Sequence, residues 1–404
     1  MVDCILQDEC LDALPIALLR NPSTPLVALL GSPDVQVFIS STMPMIRVAS
    51  LDEPQTILQK PRKTTYDGVR ASGILKDRWL RKHVLETPSV VGYIVELTDS
   101  LGNFVLDAAL QYVSELKRKE RPRNVRFAIL AVIRGQISDD LDNALYSFRS
   151  RAEIDPRNFA GLVLNGQAAL RRAERAQIML TELAHQFYDD EVKRSRWVCE
   201  SLSRASQAEL IIRHSFKIAF NLEHERDKAP SLRQYLITYG ELWDFVNAGE
   251  TFPHVTSRHE ELRSVAELLM YKICRLLLFS GNYKDAFSQL RRHVSLYRHL
   301  SGRDDLGFSR FAWLARQHFH FALLCIEYNT ARASKSPLSL AAGELAEVEV
   351  GEHLEAASFW FSKRKTAAEA CLQSFDAAAD SAAAGDLSVR RVALYWGQVR
   401  DACL

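Results

Sequence analysis

LLLFSGNYKDAFSQL, Leu276–Leu290, is the passage on which the fold turns. An apolar helical run stops at Gly281-Asn282, and Tyr283, Ala286 and Phe287 then open the inner face of a second helix. Glycine suits the break because the residue just past a helix end often takes positive φ. Ala286 is small enough for two antiparallel helices to approach closely. The passage therefore predicts a helical hairpin.

Working outward, Arg204–His224, Ser231–Asn247, His259–Phe279, Tyr283–His299 and Phe308–Asn329 each carry apolar residues at spacings of three and four, the mark of amphipathic helices. The 276–290 turn resembles that of a tetratricopeptide repeat, but no strict 34-residue period emerges. The expected architecture is an irregular α-solenoid of tetratricopeptide-like hairpins over residues 166–404, interrupted by a loop at Ala331–Val350.

The first third reads differently. Nine of the thirteen prolines fall between Pro15 and Pro122, so that region must be rich in turns. Val90–Leu97, Val125–Ile133 and Phe159–Leu164 are short, nearly continuous apolar runs, as strands covered on both faces show. Leu26–Leu30 and Val35–Ile39 read as further strands about a Gly31-Ser32-Pro33-Asp34 turn. Helical patterns at Leu101–Lys119 and Ser138–Arg151 alternate with the strands, with Ser138 expected as an N-cap. That order predicts a small parallel-sheet α/β domain over residues 1–165.

Composition bounds the function. The 404 residues carry 51 Lys plus Arg against 50 Asp plus Glu, a net charge of +1, which argues against a nucleic-acid binder. Seven cysteines without a CxxC pair do not make a disulfide scaffold or zinc ribbon. An acidic N-terminus and the lack of any long apolar run point to a soluble, cytoplasmic protein.

Motifs that carry chemistry are missing: there is no phosphate-binding glycine loop, HExxH, GxSxG or EF-hand loop. His318-x-His320 points two ways on a helix and cannot share a metal. Cys199, Cys274, Cys325 and Cys371 read as small helix-packing hydrophobes. The basic run Lys117–Arg123 opposes a helix dipole at its C-terminal end. No catalytic, cofactor-binding or metal-ligating residue is expected. One enzyme reading survives: strand ends carrying Asp99, Arg134 and Asn165 around one crevice could hold a phosphate or nucleotide. A free peptide-binding adaptor is the other alternative.

Four ordered blocks resemble the foie gras family, the subunit 11 type of the trafficking protein particle (TRAPP) complex. The first holds Lys63-Thr64-Thr65-Tyr66, Gly73-Ile74-Leu75-Lys76, Trp79 and Lys82-His83. The second is Ile212–Phe220, with Arg213, His214, Phe216 and Lys217. The third is Tyr271–Leu276, with Tyr271, Lys272 and Arg275; the fourth is Tyr395-Trp396-Gly397-Gln398. Family members continue into more helical repeats and a β-sandwich region, so a chain stopping at Leu404 is expected to be a fragment or a reduced homologue.

The resemblance implies a non-catalytic scaffold subunit of a vesicle-tethering complex in traffic between endoplasmic reticulum and Golgi, and in autophagy. Its implied partners are other TRAPP subunits and, through the complex, a Rab-family GTPase. Membrane association would be peripheral and through the complex only, at Golgi and ER-Golgi intermediate membranes. From the residues themselves, the clustered aromatics Phe359, Trp360, Tyr395 and Trp396 are expected to form an interaction surface near the solenoid end, because aromatics anchor interface cores.

Overall fold

The structure, a computed structural model, describes residues 24–50, 73–75, 79–98, 104–118, 125–134, 141–164, 166–248, 256–300, 307–333 and 350–381. The described residues fall into two compact units that part between Ser231 and Leu232.

The first unit runs β1 (Leu26–Leu30), α1 (Pro33–Thr42), β2 (Arg47–Ser50), α2 (Trp79–Arg81) with a π-turn at Lys82–Glu86, β3 (Val90–Glu96), α3 (Leu106–Arg118), β4 (Arg126–Ile133), α4 (Leu141–Arg151), β5 (Phe159–Val163), α5 (Gln167–Ser201) and α6 (Ala208–Leu222). All strand pairs are parallel, in the order β2-β1-β3-β4-β5. The pleat sends alternate residues to opposite faces. One face, with Val27, Leu29, Val90, Ile94 and Leu130, packs on α1 and on the Ala173, Ala176, Leu180 and Leu183 side of α5. The other, with Ala28, Val91, Val95, Ile129 and Ala131, packs on Val113 and Leu116 of α3 and Phe148 of α4. Both faces are covered, which is why the strands read as unbroken apolar runs.

One reading of the sequence is corrected here. Val35–Ile39 is not a strand but part of α1. Pro33 sits in its first turn, where a missing N–H costs nothing, and Asp34 favours the positive end of the dipole. Val35, Gln36 and Ile39 turn inward on one helical face, while Val37 is 67% exposed. The sheet instead gains β2, whose RVAS is too short and too polar to announce itself. The sheet-bearing unit also continues past residue 165 to Ser231, because the small residues of α5 let it lie directly on the strands. Asn165 and Ser138, the expected N-cap, lie outside the described residues.

The chain continues through α7 (Ala229–Ala248), α8 (Thr256–Phe279), α9 (Tyr283–Tyr297), α10 (Gly307–Ala333) and α11 (Gly351–Ser381). The α8–α9 turn is as its sequence demands. Gly281 has φ +83°, its N–H donates to the Leu278 carbonyl at 2.9 Å, and the Asn282 N–H reaches the Leu277 carbonyl at 2.8 Å. Both bonds of a Schellman cap are thus made. Within the expected loop, α10 runs on to Ala333; residues 334–349 lie outside the described residues. A parallel α/β sheet followed by solenoid-like helical hairpins is therefore the fold.

Candidate functional site

The first two sequence blocks meet in the sheet-bearing unit. Gly73, with φ +111°, and the fully buried Ile74 present their carbonyls to Arg213 of α6. Arg213 Nε donates to the Ile74 carbonyl at 2.6 Å and Nη2 donates to that of Gly73. Residues 139 positions apart are so joined by a charged donor on backbone acceptors, stronger than neutral hydrogen bonds.

Next to this joint runs an aromatic ladder. Trp79 stacks on His83, with ring centroids 4.4 Å apart, and meets Phe216 and Phe220 edge-on at 5.6 and 5.2 Å. Phe220 in turn meets His224, which stacks on Tyr188 of α5 at 3.7 Å. Helical spacing builds the ladder: Trp79 and His83 are four apart, as are Phe216, Phe220 and His224. Such edge-on pairs contribute roughly 0.5–1.5 kcal/mol beyond burial.

A half-open cavity of about 140 Å³ lies against this ladder, walled by Trp79, Tyr188 and Phe220 and carrying Lys82, Arg194 and Lys217. The buried His214 lies in the field of these cations. Burial first, then Lys217, Arg194 and Arg213, push its pKa down to about 3.

The third block sits in the second unit. Tyr271 and Lys272 are buried in α8, each 1% exposed. Arg275 reaches Glu327 of α10 at 3.1 Å and lays its guanidinium 4.9 Å over Phe279. Tyr283 of α9 and His353 of α11 meet at 3.2 Å between Oη and Nε2, and the Phe321 ring packs edge-on against His353. His318 lies 6.1 Å from His353, ring to ring; burial, then His353, hold His318 down to about 4. His293 of α9 is wholly buried against Tyr239, whose hydroxyl lies 3.0 Å from Nδ1.

The histidines give a pH prediction. Burial holds the folded pKa of His293 down to about 3, against an ordinary 6.5. The unfolded chain then binds the proton more readily, so stability is full above pH 6.5 and is lost as pH falls towards 3. Between pH 6.5 and 5 the loss should be about 2 kcal/mol for this residue. Urea unfolding at pH 7 and pH 5 should show His293→Gln losing correspondingly less than the parent. An unchanged pH dependence would refute the assignment.

Of the other residues singled out in the sequence, Phe359 is 52% exposed, and Trp360 stacks on Phe311 at 5.7 Å. Lys63, Tyr66, Lys76, Tyr395 and Trp396 lie outside the described residues. At the sheet's C-terminal edge, Asp99 and Asn165 do too. Arg134 is held by Asp34 at 2.7 Å and Glu96 at 2.8 Å, and its backbone N–H donates to Thr98 Oγ1. The Arg134 and Ser32 hydrogen bonds keep the Asp34 carboxyl well below the usual carboxylate range. No described helix is long and apolar enough to cross a membrane. The sequence did not single out Tyr188, Arg194, Thr87 or His224; only the fold brings these to the second block.

A parallel α/β unit continuing into helical hairpins, with its distinctive residues at helix junctions, is the class of protein defined so far. Residues 258–395 match the model of Foie gras liver health family 1. The chain is also 25% identical, over 268 residues, to trafficking protein particle complex subunit 11 of Bos taurus, of Homo sapiens and of Gallus gallus. The matched stretch takes in 64% of this chain and 23% of the length of each relative. The resemblance read from the sequence blocks is borne out.

Proposed function

We propose that this chain is a non-catalytic scaffold subunit of a TRAPP-type tethering complex, acting on Golgi and ER-Golgi intermediate membranes and in autophagy. Its direct partners are other TRAPP subunits, and its link to a Rab-family GTPase and to membrane runs through the assembly. The observation that carries this reading is where the family-like residues are used. Arg213 binds backbone carbonyls, Trp79 and Phe216 pack on each other, and Arg275 pairs with Glu327. Residues so engaged fix helices against one another, which suits a rigid scaffold surface.

The enzyme reading draws on the β2-β1-β3-β4-β5 order, which puts a topological switch point between β1 and β3. Arg134 beside it is already engaged by two carboxylates of the chain, which favours the scaffold. On this reading Phe359 belongs to a docking face near the end of the helical unit.

Purification of the full chain from native cells should bring down other TRAPP subunits. Phe359→Ser should reduce that recovery several-fold while leaving thermal unfolding unchanged. Absence of TRAPP subunits, or phosphoester turnover abolished by Arg134→Gln, would overturn the proposal.

A further inference from the structure

The sheet ends at β5, which pairs with β4 alone; among the described residues no strand lies on its other side. A strand so placed turns alternate N–H and C=O groups outward, a template for pairing with another chain. Natural edges are commonly blunted by charge or proline. The opposite edge, β2, opens on Arg47, whereas β5 (FAGLV) carries neither, and its first three residues are half-exposed. Beside β5 runs a half-open groove of about 340 Å³, walled by Phe159 on the strand and by Ile178 and Met179 on α5. Ile178 is 51% exposed there. Arg157, Arg175 and Glu182 line the same groove, two cations against one acid. Arg151 and Arg172, close by in sequence, are held by Asp107 and Asp142. The Arg157 and Arg175 side chains have no such acid among the described residues.

We propose that the β5 edge takes up an extended segment of a partner protein, one carrying an aliphatic residue and, two positions away on the same face, an acid. The segment's backbone pairs with the outward groups of β5, and its side chains enter the groove against α5. The aliphatic residue packs on Ile178 and Met179, and the acid meets Arg157 and Arg175. The spacing agrees: two positions along a strand span about 6.6 Å, and the rise from Arg175 to Met179 along the helix is about 6 Å. Charge selects an acid over a base, because the groove holds two arginines and one glutamate. A small molecule in the groove would leave the strand edge unused. A docked helix spends its N–H and C=O groups internally and brings none to the edge. The inference stands apart from the assembly reading, since it uses only groups of the sheet-bearing unit.

The test uses the full chain. A random octapeptide display library is panned on it, and the enriched peptides are synthesised with a fluorescent label and titrated by anisotropy. They should share the aliphatic–any–acid pattern. Methylating every second amide nitrogen of such a peptide should weaken binding at least tenfold in one register and leave it unchanged in the other, because only one edge of an added strand faces β5. Ile178→Lys should abolish binding, and Arg157→Glu with Arg175→Glu should weaken it at least tenfold. All three side chains are exposed, so the variants should fold, which circular dichroism checks. The methylated peptides need no variant at all. Register-dependent binding that the variants weaken supports the proposal. No enriched peptide, binding indifferent to the methylated register, or binding unchanged in folded variants overturns it. Self-association of the full chain in sedimentation that is lost in Ile178→Lys also overturns it, since the occupant is then a second copy.

Discussion

Trp313→Ala should cost the helical unit about 5 kcal/mol, close to the whole stability of an ordinary domain. Trp313 is fully buried in α10 and packs 5.6 Å from His293, ring to ring. Its indole N–H donates to Glu267 of α8 at 2.6 Å, and Glu267 is itself only 5% exposed. Truncation leaves a cavity, costing about 3–5 kcal/mol in such cores. It also takes a donor from a buried carboxylate, a further 1–3 kcal/mol or so. Arg263 lies 3.6 Å from that carboxylate, so part of the second loss is offset. Trp313→Phe separates the effects, because it keeps most of the volume and loses only the N–H; about 2 kcal/mol is expected. Because the chain has two units, the effect is best read by amide exchange in α8, α9 and α10 and not from a single melting curve. Exchange slowed or unchanged in Trp313→Ala would mean that α10 does not pack on α8 through this residue.

What the sequence discloses, and what it withholds, follows from the range of each interaction. Val90–Glu96 and Arg126–Ile133 are legible because burial on both faces leaves an unbroken apolar run. The α8–α9 hairpin is legible because its cap is local: Gly281 and its hydrogen-bond partners lie within five positions. Val35–Ile39 misleads because Val35, Val37 and Ile39 alternate as a strand would. The decisive signals, Ser32-Pro33-Asp34, read equally as a turn or as a helix start. The continuation of the first unit through α5 is hidden for another reason. An alanine stripe at Ala173 and Ala176 suits a helix on a sheet as well as a helix in a bundle.

The candidate site is legible only in parts. Resemblance singled out Trp79, Arg213, Phe216 and Lys217 without revealing that the first two blocks touch. Nothing in periodicity pairs Arg213 with Gly73 and Ile74, because a side chain that caps carbonyls across a fold leaves no repeating signal. The third block is similar: Arg275 and Glu327 are complementary in charge, but so are many pairs in a chain with 51 basic and 50 acidic residues. The cavity cations come from the π-turn, α5 and α6, and only the sheet's geometry brings them around one space.

The sheet's own weak point is Gly31, and Gly31→Ala should cost about 4 kcal/mol. The residue follows β1 with φ +128°, a conformation that side chains rarely tolerate. Strain of this kind costs roughly 1–3 kcal/mol. A Cβ there would also lie 2.7 Å from Ile94 Cβ and 2.9 Å from the Ile94 carbonyl oxygen. Neither neighbour can yield cheaply, because Ile94 is a core residue of β3 paired in register with Leu130 of β4. Relief must come from moving the β1–α1 turn, and overpacking adds roughly another 1–3 kcal/mol. That turn carries Ser32 and Asp34 onto Arg134, so the ion cluster at the β1–β3 mouth should loosen with it. Gly240→Ala is the control: it lies inside α7 with nothing within 4 Å of the added methyl, and it should stabilise by up to about 1 kcal/mol. Urea unfolding of the full chain, followed by amide exchange in β1 and β3, distinguishes the two. Exchange in β1 and β3 of Gly31→Ala no faster than in the parent would rule out the close approach of β1's end to Ile94.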